Sequence, residues 1–302
     1  MQTESGAIVT GIFRASAAAL AALAGFCALH AQEQRKTEPT FLYRQVSSVA
    51  AGKSDFTTAS CRYLPVFGAG ASDARVLRGI ARFGEIEIDP AGASATAAFA
   101  GEEQAYFVLE GAAVLRYGAE EHALRKDDFF YTAPGVPLAF RNSGQQPARL
   151  VLAGFRIPEG AAGSGAPGKL MLANLDEVRA QTVEGHPPST LYRLMMGDTR
   201  SKRDKLAAAQ VLTSMFIMEF APGGTNIPHH HETEEEIYLI LNGHGQIVAG
   251  GGADGIENRR AARAGDAYFF RLNATVGFYS GNKPGEENAR ILAFRSLFPF
   301  GK

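Results

Sequence analysis

Three histidines, His229, His230 and His231, stand together just ahead of three glutamates, Glu234, Glu235 and Glu236. Neutral imidazole nitrogens with a carboxylate oxygen are donors that borderline divalent ions accept. On an extended chain successive side chains alternate, so His229 and His231 point one way and His230 the other. Glu236 is the carboxylate that joins them. It opens the apolar run Ile237 to Leu241 on the same side as Tyr238 and Ile240, whereas Glu235 faces the opposite way. The pattern predicts a metal site made of His229, His231 and Glu236. Its bland counterpart is a solvated His-rich, acidic loop.

These residues sit in one copy of an internal repeat. Ala105 to Gly111 (AYFVLEG) lies over Ile237 to Gly243 (IYLILNG), 132 residues apart, and Arg82 to Gly92 lies over Ser214 to Gly224 at the same offset. Further along, Asp128 to Tyr131 matches Ala267 to Phe270, and Ala148 to Phe155 matches Ala289 to Phe294. The elements read as strands: apolar or alternating runs such as Val211 to Phe220, Ile237 to Leu241 and Ala267 to Arg271, bounded by Gly, Pro, Asn and Asp. Only Asn174 to Gln181 and Ser201 to Gln210 offer short helices. Glu159 to Lys169, rich in Gly, Ala and Pro, reads as a linker. Short, regularly punctuated strands in two copies predict an all-β chain of two sandwiches or small barrels.

Gly223, His229, His231, Glu236 and Gly243, at this spacing, resemble the first sequence motif of the cupin family in every fixed position. The resemblance covers residues 75 to 300 and implies two tandem jelly-roll barrels, a bicupin, with His229, His231 and Glu236 holding a divalent metal. It divides the chain into a signal peptide (1–31), an N-terminal arm (32–74), a degenerate barrel (75–158), a linker and connection (159–205) and a metal-binding barrel (206–302). The family's second motif is only partly present. Gly265 and Asp266 match, but Arg271 replaces the Pro, Asn273 the turn Gly, and Val276 the His that would be a fourth ligand. Asn tolerates positive φ, so the hairpin is expected to survive. Two His and one carboxylate are the ligand set of non-haem Fe(II) oxygenases with open positions. On Mn, Ni, Zn or Cu the same open set supplies Lewis acidity or an activated water. In the first copy Ala97, Phe99 and Gln104 occupy the ligand positions, with Leu138 at the second-motif His, so that barrel is expected to be structural.

Thirty Lys and Arg balance 31 Asp and Glu for a net charge of -1, which gives no footprint for nucleic acid. Two cysteines, Cys27 and Cys61, make neither a disulfide framework nor a thiolate zinc site. Ala15 to Leu29 followed by Ala31 and a polar stretch has the shape of a signal peptide, too short to span a bilayer. Export to the periplasm or medium is expected, with no membrane span after cleavage. His122, His186 and His244 read as solvated, and Arg200, Lys202, Arg203 and Lys205 as a solvated charged face with a lesser claim to steering an anion. Tyr238, Tyr268, Phe270 and Phe278 are candidates for an aromatic wall near the metal, and Cys61 for a buried apolar side chain. The expected protein is an exported bicupin with one divalent metal, Fe or Mn ahead of Ni, Zn and Cu, and dioxygenase-like chemistry on a small polar or aromatic molecule. The alternative is a non-catalytic binding or storage protein. Family habit also makes a homodimer an expectation.

Overall fold

Both repeats fold as strands, and the reason lies in which of their faces are covered. The computed structural model describes residues 38–158, 168–251 and 257–297; the expected signal peptide, Cys27 and residues 159–167 of the linker lie outside them. Among the described residues there are twenty strands and two 3-10 turns. β1 (Phe41–Gln45) is followed by β2 (Cys61–Gly68), β3 (Ile80–Ile88), β4 (Glu102–Glu110), β5 (Ala112–Tyr117), β6 (Glu120–Arg125), β7 (Asp128–Thr132), β8 (Leu138–Arg141) and β9 (Ala148–Arg156). Then come β10 (Met171–Asn174), β11 (Ala180–Gln181), β12 (Thr190–Asp198), β13 (Leu206–Ala209), β14 (Leu212–Phe220) and β15 (Glu234–Asn242). The chain ends with β16 (His244–Gly251), β17 (Glu257–Arg263), β18 (Asp266–Phe270), β19 (Ala274–Ser280) and β20 (Ala289–Leu297).

Each repeat is a jelly roll with one large and one small sheet. In the first, the order β10-β7-β4-β9-β3-β2 lies over β6-β5-β8; in the second, β1-β18-β15-β20-β14-β12-β11 lies over β17-β16-β19. Three apolar cores follow from the period-two alternation. Tyr106, Val108, Leu115 and Phe130 fill the first barrel, and Met218, Tyr238, Ile247 and Phe278 fill the second. The opposite faces of the large sheets pack on each other through residues such as Phe83, Phe107, Ile237 and Phe294. Phe83 and Phe294 meet with ring centres 5.8 Å apart, and Phe67 and Phe269 at 6.3 Å. Strands of the large sheets are therefore buried on both faces, which is why they read as continuous apolar runs rather than as alternation. β5 and β17, with one face to solvent, alternate or turn polar.

Four expectations need correction. β2 pairs with β3, so the first sheet begins in what reads as the N-terminal arm, and β12 pairs with β14, so the second begins inside the connection. These edge strands lie upstream of the motif-rich part of each repeat and carry little of its sequence likeness. Ser201 to Gln210 contains β13, parallel to β12, because pairing and burial override the helix propensity of its alanines. Asn174 to Gln181 yields the 3-10 turn Leu175–Glu177, closed by an Asn174–Glu177 capping box, and then the short strand β11, which pairs with β12.

The first strands are exchanged. β1 adds to the second barrel beside β18, and β10, from the connection, adds to the first barrel beside β7. A pair of buried carboxylates reinforces this arrangement. Glu103 reaches the backbone N–H groups of Gln210, Val211 and Leu212, which donate at 2.7, 2.9 and 2.7 Å. Glu235 accepts from Arg78, Gly79 and Ile80 at 2.8, 2.8 and 2.9 Å. Each member of one latch lies 132 residues from its counterpart in the other, so the repeats clasp each other reciprocally.

Cys61 is fully buried on β2, and burial pushes its thiol up to about 11. A thiol held protonated and inaccessible is inert. In a Cys27→Ser variant, Ellman's reagent at pH 8 should detect no thiol in the native chain and one after denaturation; rapid native labelling would refute this placement.

Candidate metal centre

The loop between β14 and β15 carries the histidines into the mouth of the second barrel, and its backbone is pinned on both sides. Gly223 turns it with φ +73°. Asn226, buried, accepts from the Phe278 N–H at 2.6 Å and donates to the Tyr238 hydroxyl at 3.1 Å. His229 and Val276 exchange backbone hydrogen bonds at 2.9 and 2.8 Å, and the Asn273 N–H donates to the His231 carbonyl at 2.8 Å. Asn273 has φ +58°, the left-handed conformation its turn requires.

This pinning turns His229 and His231 to one side, with ring centres 4.9 Å apart, while His230 is exposed. Glu236, the third residue of β15, which pairs with β18 and β20, points into the same space. Donor atoms of His229, His231 and Glu236 all lie within 4.8 Å of one another. His229 Nδ1 is 2.9 Å from the Ile227 carbonyl, which leaves Nε2 for a ligand. His231 Nε2 and Glu236 Oε2 face each other at 3.3 Å, and both are buried without a hydrogen-bond partner. Buried orphaned polar atoms cost free energy unless something else satisfies them, and a divalent cation fits this donor set. Glu235, as its strand position dictates, faces away into the interface between repeats. Arg295 Nε stands 3.8 Å from Glu236 and its Nη1 3.6 Å from Glu234, giving the carboxylates a fixed positive neighbour.

The donors line a cavity of about 30 Å³, walled by Val183, Leu194, Phe216 and Met218, with Tyr192, Tyr238, Arg203 and Arg295 as its polar members. Of the four aromatics singled out in the sequence, only Tyr238 reaches it; Tyr268, Phe270 and Phe278 belong to the barrel core. Arg203 separates from its basic neighbours, since Arg200 pairs with Asp198 and Lys205 with Glu177 on the surface. His244 opens β16 on the surface, and His122 lies beside Glu120 on β6 of the first barrel. His186 is the residue the sequence reading missed. It lies beside the triad, its ring centre 5.5 Å from that of His229, and it lines the same cavity. Burial and the neighbouring His229 and Arg295 push it below the ordinary imidazole range. No local spacing announces it, because it arrives from the segment preceding β12. The Gly185-His186-Pro187-Pro188 turn was the available signal.

In the first barrel the equivalent space is packed. Ala97 bridges Leu138 as His229 bridges Val276. Gln104 accepts a hydrogen bond from the Tyr106 hydroxyl, and Arg82 pairs with Glu102 at 2.8 Å while its guanidinium lies 4.4 Å over the Phe99 ring. Among the described residues the one cluster of metal-competent donors is that of the second barrel.

The cupin domain profile matches residues 84–154 and 216–294, one match in each repeat. No curated protein matches the sequence. Solved structures share the fold at low identity. A Pseudomonas aeruginosa protein described as a candidate glyoxylate-induced protein is 17% identical with TM-score 0.66, over 86% of this chain and 90% of that one. Hazelnut (Corylus avellana) vicilin is 14% identical with TM-score 0.60, over 86% of each chain. Bacillus subtilis oxalate decarboxylase, with Mn(II) centres, is 11% identical with TM-score 0.61, over 89% of this chain and 80% of that one.

Proposed function

From a chain that belongs to the cupin family, with a cupin domain in each repeat, we propose an exported metalloprotein whose second barrel holds one divalent ion through His229, His231 and Glu236 and acts on a small molecule there. The observation that carries this is the convergence of three donors within 4.8 Å, two of them buried and unpartnered. Bound there, Fe(II) or Mn(II) would supply a Lewis-acidic or redox centre with positions left for substrate, and dioxygenase-like chemistry is the reading this ligand set favours.

The chain's own residues restrict what enters. A cavity of about 30 Å³ is far below the roughly 300–1,000 Å³ of pockets for drug-sized ligands. Only a molecule of a few heavy atoms, or the reacting end of a larger one, reaches the donors. Val183, Leu194, Phe216 and Met218 limit water, and Arg203 and Arg295 favour a polar or anionic group. Arg295, with Nε 3.8 Å from Glu236, places a positive charge beside the ligating carboxylate. A fold shared with vicilin does not of itself imply catalysis; the unsatisfied donors favour an ion over a packed storage barrel.

The test is elemental analysis of the untagged chain beside a His229→Ala, His231→Ala double variant. About one transition-metal ion per chain, lost in the variant, is expected, and iron would favour oxygenation. No metal after anaerobic reconstitution would overturn the reading. Amino-terminal sequencing of chain recovered outside the cytoplasm should start at Gln32.

A further inference from the structure

The second barrel lacks the second-motif histidine, and nothing from β19 replaces it. Val276 turns its side chain into the core at 1% exposure, and its N–H and carbonyl are both taken by His229. We infer that the fourth protein ligand comes instead from the segment before β12, and that it is His186; this rests on the metal reading above.

Three observations converge on it. His186 shares the cavity with the three donors. Its Nδ1 is buried with no hydrogen-bond partner, as are His231 Nε2 and Glu236 Oε2. Finally, the ring spacings suit a shared ion. Imidazole nitrogens bind at about 2.0–2.1 Å, so two rings on one ion have centres about 4.5–6 Å apart. His229 lies 4.9 Å from His231 and 5.5 Å from His186.

His186 stands outside the group of donors within 4.8 Å, so ligation requires its side chain to swing inward. The backbone beneath is held: Gly185 has φ +80°, the His186 N–H donates to Val183 at 3.1 Å, and Pro187 and Pro188 follow. Tyr192 is the competing candidate, its hydroxyl also buried and unpartnered. His186 offers an imidazole and Tyr192 a phenol, so the number of imidazoles on the ion separates the two. Three imidazoles and one carboxylate leave two positions of a six-coordinate ion for substrate.

Two probes decide. Pulsed EPR of the Cu(II)-loaded chain counts coordinated imidazoles, and titration with Mn(II) reads affinity. The parent should show three imidazoles, and His186→Ala and His186→Gln two. Loss of even an outer-shell partner weakens binding about 10–100-fold, so Mn(II) affinity should fall at least about tenfold in both variants. Two imidazoles in the parent, or unchanged count and affinity in a folded His186 variant, overturns the assignment while leaving the triad standing. Failure of the parent to take up either ion overturns both, and the His229→Ala, His231→Ala variant separates these outcomes. The parent's own count decides should both His186 variants misfold.

Discussion

Glu235→Ala is expected to destabilise the chain by about 3–5 kcal/mol, a large fraction of the roughly 5–15 kcal/mol that holds a domain folded. The carboxylate is completely buried and accepts three backbone N–H bonds from the other repeat. Removing it strands those donors where water does not reach, at about 1–3 kcal/mol each before relaxation. Glu103→Ala should cost a similar amount, since it breaks the same latch in the opposite direction. Urea melts check this, and a loss under about 1 kcal/mol would show that the latches are not structural. The pH dependence has a definite sign. Burial raises both carboxyls and outweighs the N–H donors, which pull the other way. The folded state thus retains protons that the unfolded chain has released. The contribution of these groups to stability is largest below the unfolded value of about 4.3 and declines as pH rises through the folded one. That slope should shrink in the Ala variants.

Metal loading is expected to raise stability by about 4 kcal/mol when free ion exceeds its Kd a thousandfold, and Glu236→Gln to abolish the gain. Without metal, the same variant should be at least as stable as the parent. Glu236 Oε2 is a buried acceptor with no donor, whereas a Gln amide can donate to His231 Nε2. The first repeat already contains this solution. Gln104, at the equivalent position, is held by Tyr106 and bonds Glu102 at 3.4 Å. Melting curves with chelator and with saturating Mn(II) separate the two effects. A variant that loses several kcal/mol in chelator would mean that Glu236 supports the apo fold instead.

How much of this could be read from the residues follows from how local each feature is. The 132-residue offset and the Gly-His-His-Glu-Gly spacing lie within single strands and turns, so the two barrels and the triad were visible. The choice of Glu236 over Glu235 needed only strand alternation. The destination of Glu235 was not visible, because its partners at Arg78 to Ile80 are brought to it by the packing of two sheets. His186 was missed for the same reason: a loop histidine without neighbours in sequence reads as solvated until the fold places it beside His229. The boundaries at 75 and 206 fell too late because β2 and β12 are positioned by edge pairing rather than by a motif. Arg203 separates from its basic neighbours only through the course of the segment leading into β13.

The exchange of first strands sets an order of events during folding. β1 leaves the ribosome first, yet its pairing partner β18 lies more than two hundred residues later. Its site exists only once nearly the whole chain has been made. The first barrel in turn stays open at β7 until β10 emerges. Such distant pairings raise contact order and loop-closure entropy, which slow folding. Until they form, β7 and β18 present unpaired edges of the kind that recruit a second chain. Exchange between two copies of the protein is accordingly the misassembly to which this architecture is most exposed, and dilution during refolding is the condition that suppresses it.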